Sequence, residues 1–178
     1  MQGCDEFCTF CIIPYRRGRE KSRDLHELIH ECEKLVDRGV LEVTLLGQIV
    51  DRYGMDFESP RDLADLLTEI NGIPGIERIR FLTSHPRDMS QKIIDAVASL
   101  EKVCENINIP FQSGNDQVLE RMRRPYNMAN YLKLMDDIRS TVDGVSLSTD
   151  VIVGFCGETD QEFEDTLAIL KEVEFDVV

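Results

Sequence analysis

Cys4, Cys8 and Cys11 stand in a C-x3-C-x2-C spacing inside a loop that also carries Phe7, Phe10, Pro14 and Tyr15. Thiolates are soft ligands, and three so close in sequence can converge on one soft metal centre. A disulfide would use two of them and strand the third, and no hydrophobic segment follows Met1 to suggest export. Zinc is one reading. A closed zinc site wants four ligands, and His26, His30 and Cys32 are the nearest candidates for the fourth, although Cys32 falls on the apolar face of a predicted helix. An iron–sulfur cluster is the other reading. Three protein ligands on a four-iron cube leave one iron open to a small molecule, which is the arrangement that radical chemistry with S-adenosylmethionine (SAM) demands.

The elements that would position such a centre read as alternating helices and strands. Leu25, Leu28, Ile29, Cys32, Leu35 and Val36 recur at steps of three and four, an amphipathic helix ending at Gly39. Val40–Leu46 reads as a buried strand. Ser59-Pro60 has the chemistry of a helix start, with Leu63, Leu66, Leu67 and Ile70 as its core face, and Ile76–Leu82 is the next strand. Ile93, Ile94, Val97 and Leu100 mark another helix and Val103–Ile109 another strand, closed by Pro110. Tyr131, Leu134, Met135 and Ile138 stripe a helix, Val145–Val153 reads as a long strand, and Thr159-Asp160-Gln161-Glu162 is a capping box for a last helix. Phe175–Val178 looks like a strand cut short. Strands alternating with helices imply a parallel α/β sheet in one domain, since parallel neighbours need crossover connections.

Composition narrows the function classes. The 178 residues carry 20 Lys and Arg against 34 Asp and Glu, a formal charge of −14, which excludes a uniformly basic nucleic-acid binder. One small loop is basic, with Arg16, Arg17, Arg19, Lys21 and Arg23 against Glu20. Apolar runs such as Val151–Phe155 are far shorter than the ~18 residues of a membrane span, so no membrane partner and a cytoplasmic location are expected.

The cysteine loop ahead of alternating βα units resembles the radical SAM superfamily. Pro14-Tyr15, Arg17-Gly18, Ser22-Arg23, Leu46-Gly47-Gln48, Ser84-His85-Pro86-Arg87-Asp88, Gln112-Ser113-Gly114, and Thr149-Asp150 through Gly157-Glu158-Thr159 are together similar to its methylthiotransferase family. Within that family they look most like the branch that methylthiolates carbon 2 of isopentenyladenosine next to the tRNA anticodon. Branches acting on a ribosomal protein aspartate or on threonylcarbamoyl-adenosine tRNA are the alternatives, and a zinc-stabilised RNA-binding module is the alternative of a different class. Ile49 and Cys156 depart from the family pattern.

That resemblance implies a partial (β/α)6 barrel truncated at both ends. Residues 1–178 would be its core, without a first strand, an N-terminal methylthiotransferase domain holding a second [4Fe-4S] cluster, or a C-terminal TRAM domain, and inactive alone. Cys4, Cys8 and Cys11 would ligate a [4Fe-4S] cluster with one open iron. Phe10, Gln48, Ser84, Gln112, Ser113, Asp150 and Gly154 would bind SAM, while Arg17, Arg23 and His85 would meet the substrate. Gln48 is expected at one strand end, Ser84 and His85 at the next and Gln112 and Ser113 at the third, with Asp150 inside the fourth strand. A tRNA substrate, an electron donor such as flavodoxin or ferredoxin, and a monomeric state are also implied.

Overall fold

A computed structural model describes residues 1–59 and 61–178; the predicted helix start at Ser59-Pro60 therefore lies partly outside the described residues. Among the described residues there are seven helices, α1 (Ile13–Arg17), α2 (Leu25–Val36), α3 (Leu63–Asn71), α4 (Gln91–Ser99), α5 (Asp116–Arg121), α6 (Met128–Thr141) and α7 (Asp160–Val173), with four strands set between them. These are β1 (Glu42–Leu46), β2 (Arg78–Leu82), β3 (Asn106–Asn108) and β4 (Ser146–Ser148). β1 pairs with β2 and β3 with β4, both in parallel. A parallel bridge from Ile79 to Val103 joins the two pairs, and another from Ser148 to Val177 adds the end of the chain after β4.

One sheet face is apolar and covered by helices: Val43, Ile79, Phe81, Ile107 and Leu147 are buried with Leu63, Leu67 and Ile70 of α3 and Ile93, Ile94 and Val97 of α4. The other face carries Thr44, Leu46, Arg80, Leu82, Asn106, Asn108, Ser146 and Ser148, which are half-buried or exposed. Asn106 and Asn108 donate across β3–β4 to the hydroxyls of Ser146 and Ser148 at 3.3 and 3.2 Å, so this polar face is internally paired.

Three expectations need correction. The long strand expected over Val145–Val153 is regular only over Ser146–Ser148, because the Thr149 hydroxyl takes the place of ladder bonds: Oγ1 accepts from Phe111 N at 3.1 Å and donates to Ile109 O at 2.9 Å. The strand expected over Val103–Ile109 is likewise regular only over Asn106–Asn108. α3 is capped by Asp62, not Ser59. The Asp62 carboxylate accepts from Asp65 N and the Asp65 carboxylate from Asp62 N, a reciprocal box that an acidic pair three apart supplies. The box expected at Thr159 and Glu162 opens α7 as read, with reciprocal bonds of 3.3 and 2.8 Å.

Candidate functional site

The cysteine loop is folded by its own backbone before any side chain holds it. An antiparallel bridge joins Gln2 to Lys21, and Cys4 N donates to Gly18 O at 3.1 Å. Gly3 makes this possible. Its φ is +80° and a Cβ there would sit 2.0 Å from Arg19 O, so only glycine allows the two segments to close. The loop tip is tied to the far end of α5: Thr9 N donates to Met122 O at 3.2 Å, and the Thr9 hydroxyl donates to Arg121 O at 3.0 Å.

Charge fixes the other side of the loop. Arg52 follows β1 in a 3-10 turn, is buried, and spreads its guanidinium over three carboxylates: Asp88 at 2.8 Å, Glu20 at 2.9 Å, and Glu6. Glu6 and Glu20 belong to the cysteine loop and Asp88 to the segment after β2, so one arginine clamps three pieces of chain. Beside it Asp51 is 2% exposed and accepts from the Ser84 hydroxyl at 2.8 Å and from His85 N at 2.7 Å. Burial drives the Asp51 carboxyl up to about 7, against the lowering effect of those two hydrogen bonds.

Against this frame Cys4, Cys8 and Cys11 line a cavity of about 150 Å³. Gln48 and Ile49 enter it from the end of β1, Thr83, Ser84 and His85 from the end of β2, Pro110 and Gln112 from beyond β3, and Phe10, Glu6, Ile13 and Arg124 complete the wall. Carboxyl ends of parallel strands are where βα folds gather their ligands. A second cleft of about 510 Å³, lined by Arg17, Gly47 and Met1 among others, shares Gln48 and Thr83 with the first.

The wall is chemically directional. The Ser84 proton is committed to Asp51, so toward the cavity that hydroxyl offers lone pairs. Burial and the nearby charges of Arg124 and Arg52 lower His85 to about 3, leaving the ring neutral. Its Nδ1 accepts from Arg87 N at 3.2 Å and lies 3.4 Å from the Asp88 carboxylate, while Nε2 is buried with no partner among the described residues. Gln112 is held at a φ of 68° by backbone bonds on both sides, from its own N to Asp150 O and from Ile152 N to its carbonyl. A strained non-glycine residue in the wall of a cavity is a mark of a functional position.

The structure thus brings together Cys4, Cys8, Cys11, Phe10, Gln48, Ser84, His85 and Gln112, and leaves the other expected residues apart. Ser113 is fully buried against Thr166 of α7, and Asn115, whose side chain accepts from Gln117 N and Val118 N, caps α5. Asp150 lies beyond β4 and is exposed, not inside a strand, and only its carbonyl is used, by Gln112 N. Gly154 is exposed with its N–H donated to the Glu158 carboxylate. Arg17 faces the neighbouring cleft, and Arg23 pairs with Glu31 at 2.7 Å on the surface. Sequence reasoning missed Asp51 and Arg52. The available signal was a charged pair set between the apolar residues Val50 and Tyr53 directly after a strand end.

A helix-backed parallel sheet with three thiols collected at its strand ends defines the class: an α/β protein that holds a thiolate-bound group over the sheet. A model of the radical SAM superfamily matches residues 1–170, and the chain belongs to that superfamily. It is 51% identical over 176 residues to the tRNA-2-methylthio-N(6)-dimethylallyladenosine synthase of Alkaliphilus oremlandii, covering 99% of this chain and 37% of that protein. The enzyme of the same name from Finegoldia magna is 48% identical over 99% of this chain and 38% of its own length. The chain thus spans under two-fifths of these relatives. Among solved structures, the cobalamin-dependent SAM radical enzyme OxsB superposes with a TM-score of 0.75 at 14% identity, covering 95% of this chain and 25% of that one, which shows the shared fold. The fold is a partial radical SAM barrel, as expected. Among the described residues, no helix is long and apolar enough to cross a membrane.

Superfamily membership implies a [4Fe-4S] cluster and SAM. The residues present fit them. Three soft donors open on one cavity, yet among the described residues no three Cys, His, Asp or Glu side chains converge on the position of a single ion. Soft thiolate donors gathered on one cavity are the ligand type that an iron–sulfur cluster takes.

Proposed function

We propose that residues 1–178 are the radical SAM core of a longer, cytoplasmic, monomeric methylthiotransferase that modifies carbon 2 of an N6-dimethylallyl (isopentenyl) adenosine in tRNA. The observation that carries this reading is the convergence of Cys4, Cys8 and Cys11 with polar residues from successive strand ends in one cavity, in a chain 51% identical over nearly its whole length to a synthase of that name. The greater length of the relatives supports the expectation of flanking domains, and the family resemblance supports a second cluster in one and an RNA-binding role for the other. The same resemblance supports a flavodoxin or ferredoxin as electron donor.

Cys4, Cys8 and Cys11 would hold the cluster, which when bound would supply the electron for reductive cleavage of SAM. Gln48 and Ser84 present oxygen acceptors to the methionine ammonium, with Ser84 oriented by Asp51. Gln112 and Phe10 would flank the nucleoside part, and His85 would present its unpartnered Nε2 to a substrate or cofactor group. Burial of Cys4 and Cys8 to 8% and 7% exposure keeps water from the thiolates.

Anaerobic reconstitution of the longer protein tests this. Cys8→Ala is expected to lose about four irons per chain relative to the parent and to abolish methylthiolation of dimethylallyl-adenosine tRNA measured by nucleoside mass spectrometry. Unchanged iron content in that variant, or one zinc per chain in the parent, would overturn the proposal.

A further inference from the structure

α5 ends in a Schellman turn: Arg123 N donates to Glu120 O at 2.9 Å and Arg124 N to Leu119 O at 2.8 Å, with Arg123 left-handed at a φ of 58°. The turn sends the Arg124 side chain back into the wall of the thiol cavity. There its Nη1 donates to Cys8 Sγ at 3.5 Å and its Nε to Tyr126 OH at 3.1 Å, with the guanidinium over the Tyr126 ring at 5.1 Å. Tyr126 OH in turn donates to Phe111 O at 2.9 Å, so the arginine is braced from behind. Glu6, the other charged group of the wall, is neutralised by Arg52 and Arg87. Among the described residues, Arg124 has no carboxylate within ion-pair distance; the group it meets in the cavity wall is the Cys8 sulfur.

We infer that Arg124 is a positioning residue that sets the redox poise of the cluster held by Cys8, making it easier to reduce. This rests on the cluster reading above. An arginine stays charged at every accessible pH, and the potential of an iron–sulfur cluster follows net charge and hydrogen bonds to its sulfurs. Reduction adds one electron to the cluster, and a fixed cation hydrogen-bonded to a ligating sulfur in a half-buried wall favours the more negative state.

The test is an EPR-monitored redox titration of the reconstituted longer protein, following the signal that Cys8→Ala removes. Arg124→Met and Arg124→Gln are both expected to load iron and to lower the reduction equilibrium constant about tenfold, which for one electron is about 59 mV more negative. Arg124→Lys, which keeps the charge, is expected to recover most of the shift. Equal potentials in parent and neutral variants overturn the inference. So does loss of SAM affinity at unchanged potential, which would assign the guanidinium to SAM. If neither neutral variant loads iron while Arg124→Lys does, the charge serves ligation and not poise, and the inference again fails. Absence of a cluster in the parent overturns the cluster reading itself, a separate result.

Discussion

The strand ends on the two sides of the sheet are built by different means. After β1 and β2, side chains enforce the backbone: Asp51, Arg52, Ser84 and His85 are buried, and the Asp51 carboxylate and Arg52 guanidinium are bonded to other segments of chain. After β4, the chain from Val153 to Gly157 turns in the open, with Val153, Gly154, Cys156 and Gly157 exposed and a single carboxylate, Glu158, closing it. The thiols sit against the first rim. A loop that must present three sulfurs in fixed relation needs walls that do not move, and buried charge pairs, which cannot be broken without stranding an ion, provide them.

The contrast is broken most severely at Arg52. Arg52→Met leaves Glu6, Glu20 and Asp88 facing one another with Arg87 as the remaining cation on Glu6 and Asp88. Removing one partner of a buried ionic group costs about 3–5 kcal/mol, so the unfolding free energy from chemical denaturation should fall by that amount and the cysteine loop should lose its iron more readily to a chelator. A loss below about 1 kcal/mol would mean that the three carboxylates are solvated and that the clamp does not hold the loop.

Asp51 gives the same rim a pH dependence. Its carboxyl is raised from 3.8 to about 7, chiefly by burial, so the folded state binds a proton that the unfolded chain has already released. The contribution is fully present below the unfolded value and is lost as pH rises through the folded one, at about 1.4 kcal/mol per unit. Parent stability should therefore drop by up to about 3 kcal/mol from pH 5 to pH 8, and Asp51→Asn, which carries no ionisable group, should flatten that part of the curve. Chemical denaturation of both proteins at the two pH values decides it. A parent curve flat over that interval would show the carboxylate ionised in the fold.

The same division explains what was legible in the sequence. Helix stripes such as Leu25 to Val36, the box at Thr159 and Glu162, and the alternation that makes the sheet parallel are local patterns, and the structure keeps them. The thiol spacing is local too. What could not be read is long-range: Arg52 meets partners 32 to 46 positions away, and nothing periodic marks it. Thr149 looked like a strand residue because β-branched residues favour strands, yet its hydroxyl can replace the ladder only once Ile109 and Phe111 lie opposite. Motif order places Asp150 and Gly154 near the cofactor; in the structure the chain around Asp150 pairs with Gln112, but neither residue lines the thiol cavity.

Glycine separates the two rims most finely. Gly3 and Gly154 both have positive φ, +80° and +74°. At Gly3 a methyl would collide with Arg19 O, whereas at Gly154 nothing lies within 4 Å of where it would stand. Gly154→Ala therefore pays only the left-handed strain of an L residue, about 1 kcal/mol, partly offset by the lower entropy of the unfolded chain. The unfolding free energy should fall by less than that, with iron content and the cluster's EPR spectrum unchanged. If instead Gly154→Ala altered the spectrum or weakened SAM binding, the open rim would be folding over the cavity in the loaded protein, and the division between a fixed wall and a free turn would no longer hold.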